Sequence, residues 1–175
     1  MATKKSVWVL FGIVVITGLI LMSFTPVAAQ MRTFKVFNYI TKMESIPVGD
    51  VEGHFIGCME RRGTSYWDNG EISTMSAVSS LDVVKGKGTW QGYAIQTFED
   101  GSTIVTYMNG TTELGPKGLP VNKGTGEIFK GTGRFEGVKG TSTVIGKRLT
   151  PFSKETKGDT YWDVTITYTV PPKQF

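Results

Sequence analysis

From residue 159 to residue 170 the chain reads DTYWDVTITYTV, and its apolar residues recur at every second position. Trp162, Val164, Ile166, Tyr168 and Val170 share one side; Asp163, Thr165, Thr167 and Thr169 share the other. Side chains alternate across an extended chain with period two, so this pattern predicts a strand with one dry and one wet face. Seven earlier stretches rich in Thr, Val, Ile, Tyr and Phe carry the same texture. They predict strands over 32–42, 51–61, 71–84, 89–99, 102–113, 125–131 and 140–150. After residue 30 no segment shows the 3.6-residue period of an amphipathic helix.

Turn residues separate these stretches. Asn69-Gly70 and Asp100-Gly101 are hairpin signals, because both residue types tolerate positive φ. Pro47–Asp50 and Gly86–Gly88 mark two further turns, and 114–124, with two prolines and three glycines, reads as a loop. Asn109-Gly110 reads as a bulge or turn; with Thr111 it also spells a glycosylation sequon, with no sugar implied. Eight strands joined in order by short connections favour an all-β fold, an eight-stranded antiparallel up-and-down β-barrel, over a two-sheet sandwich. Closure removes exposed edges, and eight strands enclose room for packed side chains or one small ligand.

The start of the chain has a different pattern. Lys4 and Lys5 precede an apolar stretch over 7–22, and small residues occupy Ala28 and Ala29. This is the layout of a signal peptide in helical form, cut after Ala29. It predicts a leader over 1–29, an exported barrel over 30–175, and no membrane contact after cleavage. The alternative is an uncleaved membrane anchor formed by residues 7–29, since about 20 apolar residues span a bilayer.

Charge and chemistry narrow the function. The formal charge is +4, and without Lys4 and Lys5 it falls to +2. Basic residues do not cluster beyond pairs such as Arg61-Arg62, which gives no footprint for nucleic acid. Cys58 is the only cysteine and His54 the only histidine, so an intrachain disulfide and a His/Cys zinc site are both excluded. No G-x-S-x-G elbow is present.

GTGEIFKGTGRFEGVKGTST, residues 124–143, holds six glycines but fits neither phosphate-binding pattern. Counting from Gly124 or Gly131, the sixth position is Phe129 or Glu136 rather than the glycine a dinucleotide fold needs. Gly146-Lys147 and Gly86-Lys87 are not followed by Ser or Thr, so no P-loop is present. The run is therefore structural, and no cofactor is expected. Residues 133–138 are predicted to make one helical turn that tucks Phe135 and Val138 under the barrel.

GTGEIFKGTGRFEGVKGTSTVIGKRL, over 124–149, resembles the glycine-rich G-T-G-R-F-x-G segment of barrel proteins of the allene oxide cyclase and dirigent type. GYAIQTFEDGSTIVTY, over 92–107, looks like the preceding hairpin of bacterial members. The resemblance implies an eight-stranded antiparallel barrel, often a homotrimer. It also implies a mostly apolar cavity in which known members guide cyclisation or coupling of a reactive small molecule without a cofactor. No family catalytic motif maps residue by residue onto this chain.

Two groups of residues are candidates for chemistry. His54, Ile56, Cys58 and Glu60 alternate with Gly53, Phe55, Gly57 and Met59. If the first set faces the lumen, His54, Cys58 and Glu60 form a catalytic acid–base group in an enclosed space. If Phe55 and Met59 face inward, the set is solvated surface; the count of apolar residues favours that orientation. Trp90, Tyr93, Tyr107, Asn109, Trp162 and Tyr168, together with Trp67, are candidates to line a cavity for an apolar ligand. Two functions follow: a barrel that binds a small hydrophobic molecule or serves assembly alone, and a cofactor-free isomerase or cyclase. The absence of an identifiable catalytic set favours binding.

Overall fold

The computed structural model describes residues 28–115 and 117–172. Apart from its last two residues, the expected signal helix lies outside the described residues. Eight strands follow in chain order: β1 Gln30–Pro47, β2 His54–Trp67, β3 Ile72–Val84, β4 Lys87–Phe98, β5 Thr103–Leu114, β6 Pro120–Thr132, β7 Lys139–Arg148 and β8 Thr160–Thr169. Each pairs antiparallel with its chain neighbours, and Gln30–Asn38 of β1 pairs with Tyr168–Thr160 of β8 to close the ring. The sheet therefore has no open edge over this stretch, and ladder donors and acceptors are satisfied all round.

The alternation read from the last strand holds. Val164, Ile166 and Tyr168 are buried inside, while Asp163, Thr165 and Thr167 take the outer positions between them. The hairpins at Asn69-Gly70 and Asp100-Gly101 form as expected, with Gly70 at φ 85° and Gly101 at φ 78°.

The strands differ from the sequence reading at several points: β1 runs on to Pro47 rather than ending at 42, and β2 runs on to Trp67 rather than ending at 61. β2 starts at His54 rather than 51 because the connection closes at Gly53, at φ 77°, and the Val48 N–H donates to the His54 carbonyl at 3.1 Å. β6 starts at Pro120, inside the expected loop, because Val121–Gly124 pair with both β5 and β7. A proline is tolerated as the first residue of a strand, where its missing donor costs little. Asn109-Gly110 neither turns nor bulges: Gln91–Asn109 and Trp90–Gly110 are consecutive rungs of the β4–β5 ladder. The bulge lies elsewhere, where β5 steps from Val105 to Thr106 and its β6 partner jumps from Lys130 to Ile128, leaving Phe129 as the extra residue.

The 133–138 connection acts as a floor. Gly133–Phe135 form a single 3-10 turn, and Phe135 and Val138 are buried beneath the barrel. Phe34 stacks on Trp67 at 4.1 Å between centroids, Trp67 meets Phe98 at 5.0 Å, and Phe98 meets Phe135 at 4.9 Å. These contacts seal the end where β2–β3, β4–β5 and β6–β7 connect. Trp67 Nε1–H donates to Ser73 Oγ at 2.8 Å, and Gln96 Oε1 accepts from both Ser73 and Ser65 at 2.8 Å. The polar groups of the floor are thus paired, as buried polar groups must be.

Several glycines serve close packing rather than turning. A Cβ on Gly124 would lie 2.7 Å from the Trp90 ring, and one on Gly146 would lie 2.5 Å from the Trp162 indole. The missing side chains give the two largest lumen residues their room.

Candidate functional site

Above the aromatic floor lies a cavity inside the barrel. Its walls are apolar, with Val36, Met75, Leu81, Met108 and Val144 among them, and Trp90 and Trp162 stand toward the far end. The two indoles meet edge to face at 5.8 Å. The centre of a water molecule can reach about 90 Å³ of this space. One water needs only about 10–15 Å³ on that measure, so a small organic molecule fits.

The far end is polar and cationic. Arg61 takes an inward position on β2, and its Nη1 donates to Asn38 Oδ1 at 3.1 Å and Thr160 Oγ1 at 3.0 Å. Burial, aided by the nearby charge of Arg148, pulls the Arg61 guanidinium down to about 9. It remains cationic at neutral pH. Burial also lowers Arg148. Both arginines follow from strand parity: Arg61 lies two and four residues from inward-facing Met59 and Ser65, and Arg148 continues the face of Ser142 and Val144.

The parity of β2 decides the expected acid–base group. Met59 is buried, as are Ser65 and Trp67 on the same face, so His54, Cys58 and Glu60 lie on the outer side of the strand. Cys58 is exposed. The enclosed catalytic group that an inward orientation of these three would make does not form, because the apolar Met59 takes the dry side, the orientation that the count of apolar residues favoured. Among the described residues, the cavity lining contains no His, Cys or carboxylate.

His54 has a different setting, at the outer rim. Its Nδ1 lies 2.6 Å from Asp50 Oδ1 and its Nε2 lies 2.9 Å from Asp82 Oδ1. Two carboxylate acceptors favour the doubly protonated ring. The bonds to Asp82 and then Asp50 raise His54 above its usual value, and the bond from His54 lowers Asp50.

The expected ligand-binding aromatics divide. Trp90 and Trp162 line the cavity, and Tyr168 packs against Phe135 in the floor at 6.2 Å. Tyr93, Tyr107 and Asn109 occupy outward positions of β4 and β5. Tyr93 is 51% exposed and meets Tyr107 at 5.2 Å and Phe129 at 6.0 Å. Its backbone borders the lumen while its ring faces out. Tyr107 OH donates to Gln91 Oε1 at 2.9 Å, on the same outer face. Sequence reasoning missed Arg61 and Arg148: it weighs Arg61 only as half of a basic pair and assigns Arg148 no role. The available signal was the spacing of Arg61 from Met59, which puts the arginine on the drier face.

No family model and no curated protein matches the chain. Among solved structures, the pterocarpan synthase dirigent protein GePTS1 aligns with a TM-score of 0.50 at 16% identity, over 86% of this chain and 99% of its own. A second pterocarpan synthase dirigent protein, PsPTS1, aligns with a TM-score of 0.47 at 16% identity, over 83% of this chain and 97% of its own. At this identity the likeness speaks for the fold alone. The chain has the closed eight-stranded barrel architecture of dirigent-like proteins.

Proposed function

We propose that this chain is an exported barrel that holds a small hydrophobic molecule in its lumen. The observation that carries the reading is the apolar cavity itself, closed at one end by packed rings and walled by Met, Val, Leu and Trp side chains. Concave, mostly apolar sites with a few polar groups at one end are where small ligands bind. The signal-like layout of residues 1–29 supports export. Cyclisation by general acid–base chemistry is less well supported, because among the described residues the cavity lining offers no carboxylate or imidazole. The exposed cluster of Tyr93 and Phe129 on the outer face supports self-association, in line with a homotrimer.

Native mass spectrometry of protein purified from its own host tests both points. A retained small molecule released on unfolding is expected, with a subunit count above one. Protein that carries no such molecule and takes up no apolar probe, judged by unchanged Trp fluorescence, refutes the binding role.

A further inference from the structure

At the end of the cavity opposite the aromatic floor Arg61 and Trp162 line the wall, and Arg148 stands close to Arg61, so donors and positive charge gather there with no anionic partner among the described residues. Arg61 has only neutral partners, Asn38 and Thr160. Arg148 Nε–H and Trp162 Nε1–H are buried without an acceptor among the described residues. These groups are neighbours by register: Arg148 pairs with Thr160, to which Arg61 donates, and Gly146 pairs with Trp162 one inward step further along the same strands. Among the described residues the ion pairs run through Arg32, Lys42, His54, Lys85 and Arg134, and neither Arg61 nor Arg148 joins one.

A buried charge without a counter-charge is costly, and two of like sign cost more. A donor left buried without an acceptor also carries the desolvation cost of that group. A guanidinium matches the planar geometry of a carboxylate better than any other side chain does. Among the described residues no acidic side chain lines the cavity beside Arg61.

Resting on the reading of the lumen as a ligand site, we propose that its ligand is an amphipathic anion. Its carboxylate is held by Arg61 and Arg148 beside the Trp162 N–H, and its short apolar body lies between Trp90, Met75, Met108 and Val144. Ser142 Oγ, also buried without a partner, lines the wall further down and suits a ligand bearing one polar substituent along its body. Apolar walls alone would accept an alcohol, an acid or a hydrocarbon of the same length. The paired cations make the head group the basis of selection.

The test compares three eight-carbon probes, octanoate, 1-octanol and octylamine, by isothermal titration calorimetry at pH 7 and by quenching of Trp fluorescence. Octanoate is expected to bind about ten- to a hundred-fold tighter than octanol, the range given by a charged hydrogen bond. Octylamine is expected to bind more weakly than either. Arg61→Gln and Arg148→Gln should each shrink the acid-over-alcohol preference by about ten-fold or more, through weaker octanoate binding. Near-ultraviolet circular dichroism reports whether each variant keeps its packed lumen; should one fail to fold, the wild-type comparison still decides. Equal binding of octanoate and octanol overturns the anion site and leaves the lumen reading standing. A preference for octanoate that survives both substitutions places the head group elsewhere and also overturns it. Failure of all three probes to bind removes both readings.

Discussion

Phe135→Ala is the substitution that most directly questions how the barrel is sealed. The Phe135 side chain is 7% exposed, and its ring lies 4.9 Å from Phe98 and 6.2 Å from Tyr168 between centroids. The Arg134 guanidinium stands over the same ring at 4.8 Å. Truncation of a buried phenylalanine to alanine costs about 3–5 kcal/mol, the lost transfer energy plus the cavity left behind. Each aromatic partner lost accounts for about 0.5–1.5 kcal/mol beyond the buried area. At roughly 3 °C per kcal/mol for a domain of this size, Tm should fall by about 10–15 °C. Urea titration followed by Trp fluorescence gives the free energy; the unfolding slope should stay constant, so that the midpoint shift measures stability. Phe135→Leu keeps most of the volume and should cost less than half as much. A loss below about 1.5 kcal/mol for the alanine variant, the scale of an ordinary surface-proximal change, would refute the sealed floor.

Arg61→Met should be as stable as wild type at pH 7 or more stable by up to about 4 kcal/mol, since it removes an unpaired charge from the lumen. The folded state holds Arg61 at about 9, well below the ordinary guanidinium value. Its charge therefore costs stability below about pH 9, and that cost fades as pH rises toward the ordinary value. The gain of the variant should shrink accordingly in urea titrations above pH 9, and a clear loss of stability at pH 7 would contradict the unpaired-charge reading. Gly146→Ala puts a Cβ against the Trp162 indole and should destabilise by about 1–3 kcal/mol, with a changed Trp emission spectrum; a neutral effect would show that the indole has room to move. The His54 clamp gives a pH signature. His54 is raised, so its contribution is full below its ordinary 6.5 and is lost as pH rises through the raised value; Asp50 is lowered, so its share is full above 3.8 and lost in acid. Wild type should exceed His54→Gln in stability most between about pH 4 and 6.5 and least near pH 9, and a pH-independent difference would contradict the clamp.

The architecture was largely legible in the chain. Alternation in DTYWDVTITYTV, Asn-Gly and Asp-Gly hairpins, and eight strands with short connections lead to a closed barrel by local rules alone. So does the floor, because Phe135 lies in a segment too short for a helix and too rich in glycine for a strand. Asn109-Gly110 misled because a turn-prone pair has no power to turn once both flanking ladders hold it in register; the glycine there makes room for Trp90.

What the sequence alone determined is the set of strands and which residues alternate within each. It left open which of the two faces of β2 is the inside, since neither HFIGCME face is uniformly apolar. That choice needed the pairing of β2 with β1 and β3, which turns Met59 inward and takes His54, Cys58 and Glu60 out together. Period-two geometry makes the decision collective: one residue's orientation settles all the others on the strand. The meeting of Arg61 with Arg148 was beyond local reading for a related reason. They lie 87 positions apart, on strands that are not neighbours in the sheet, and only the curvature of the closed ring carries one toward the other across the lumen.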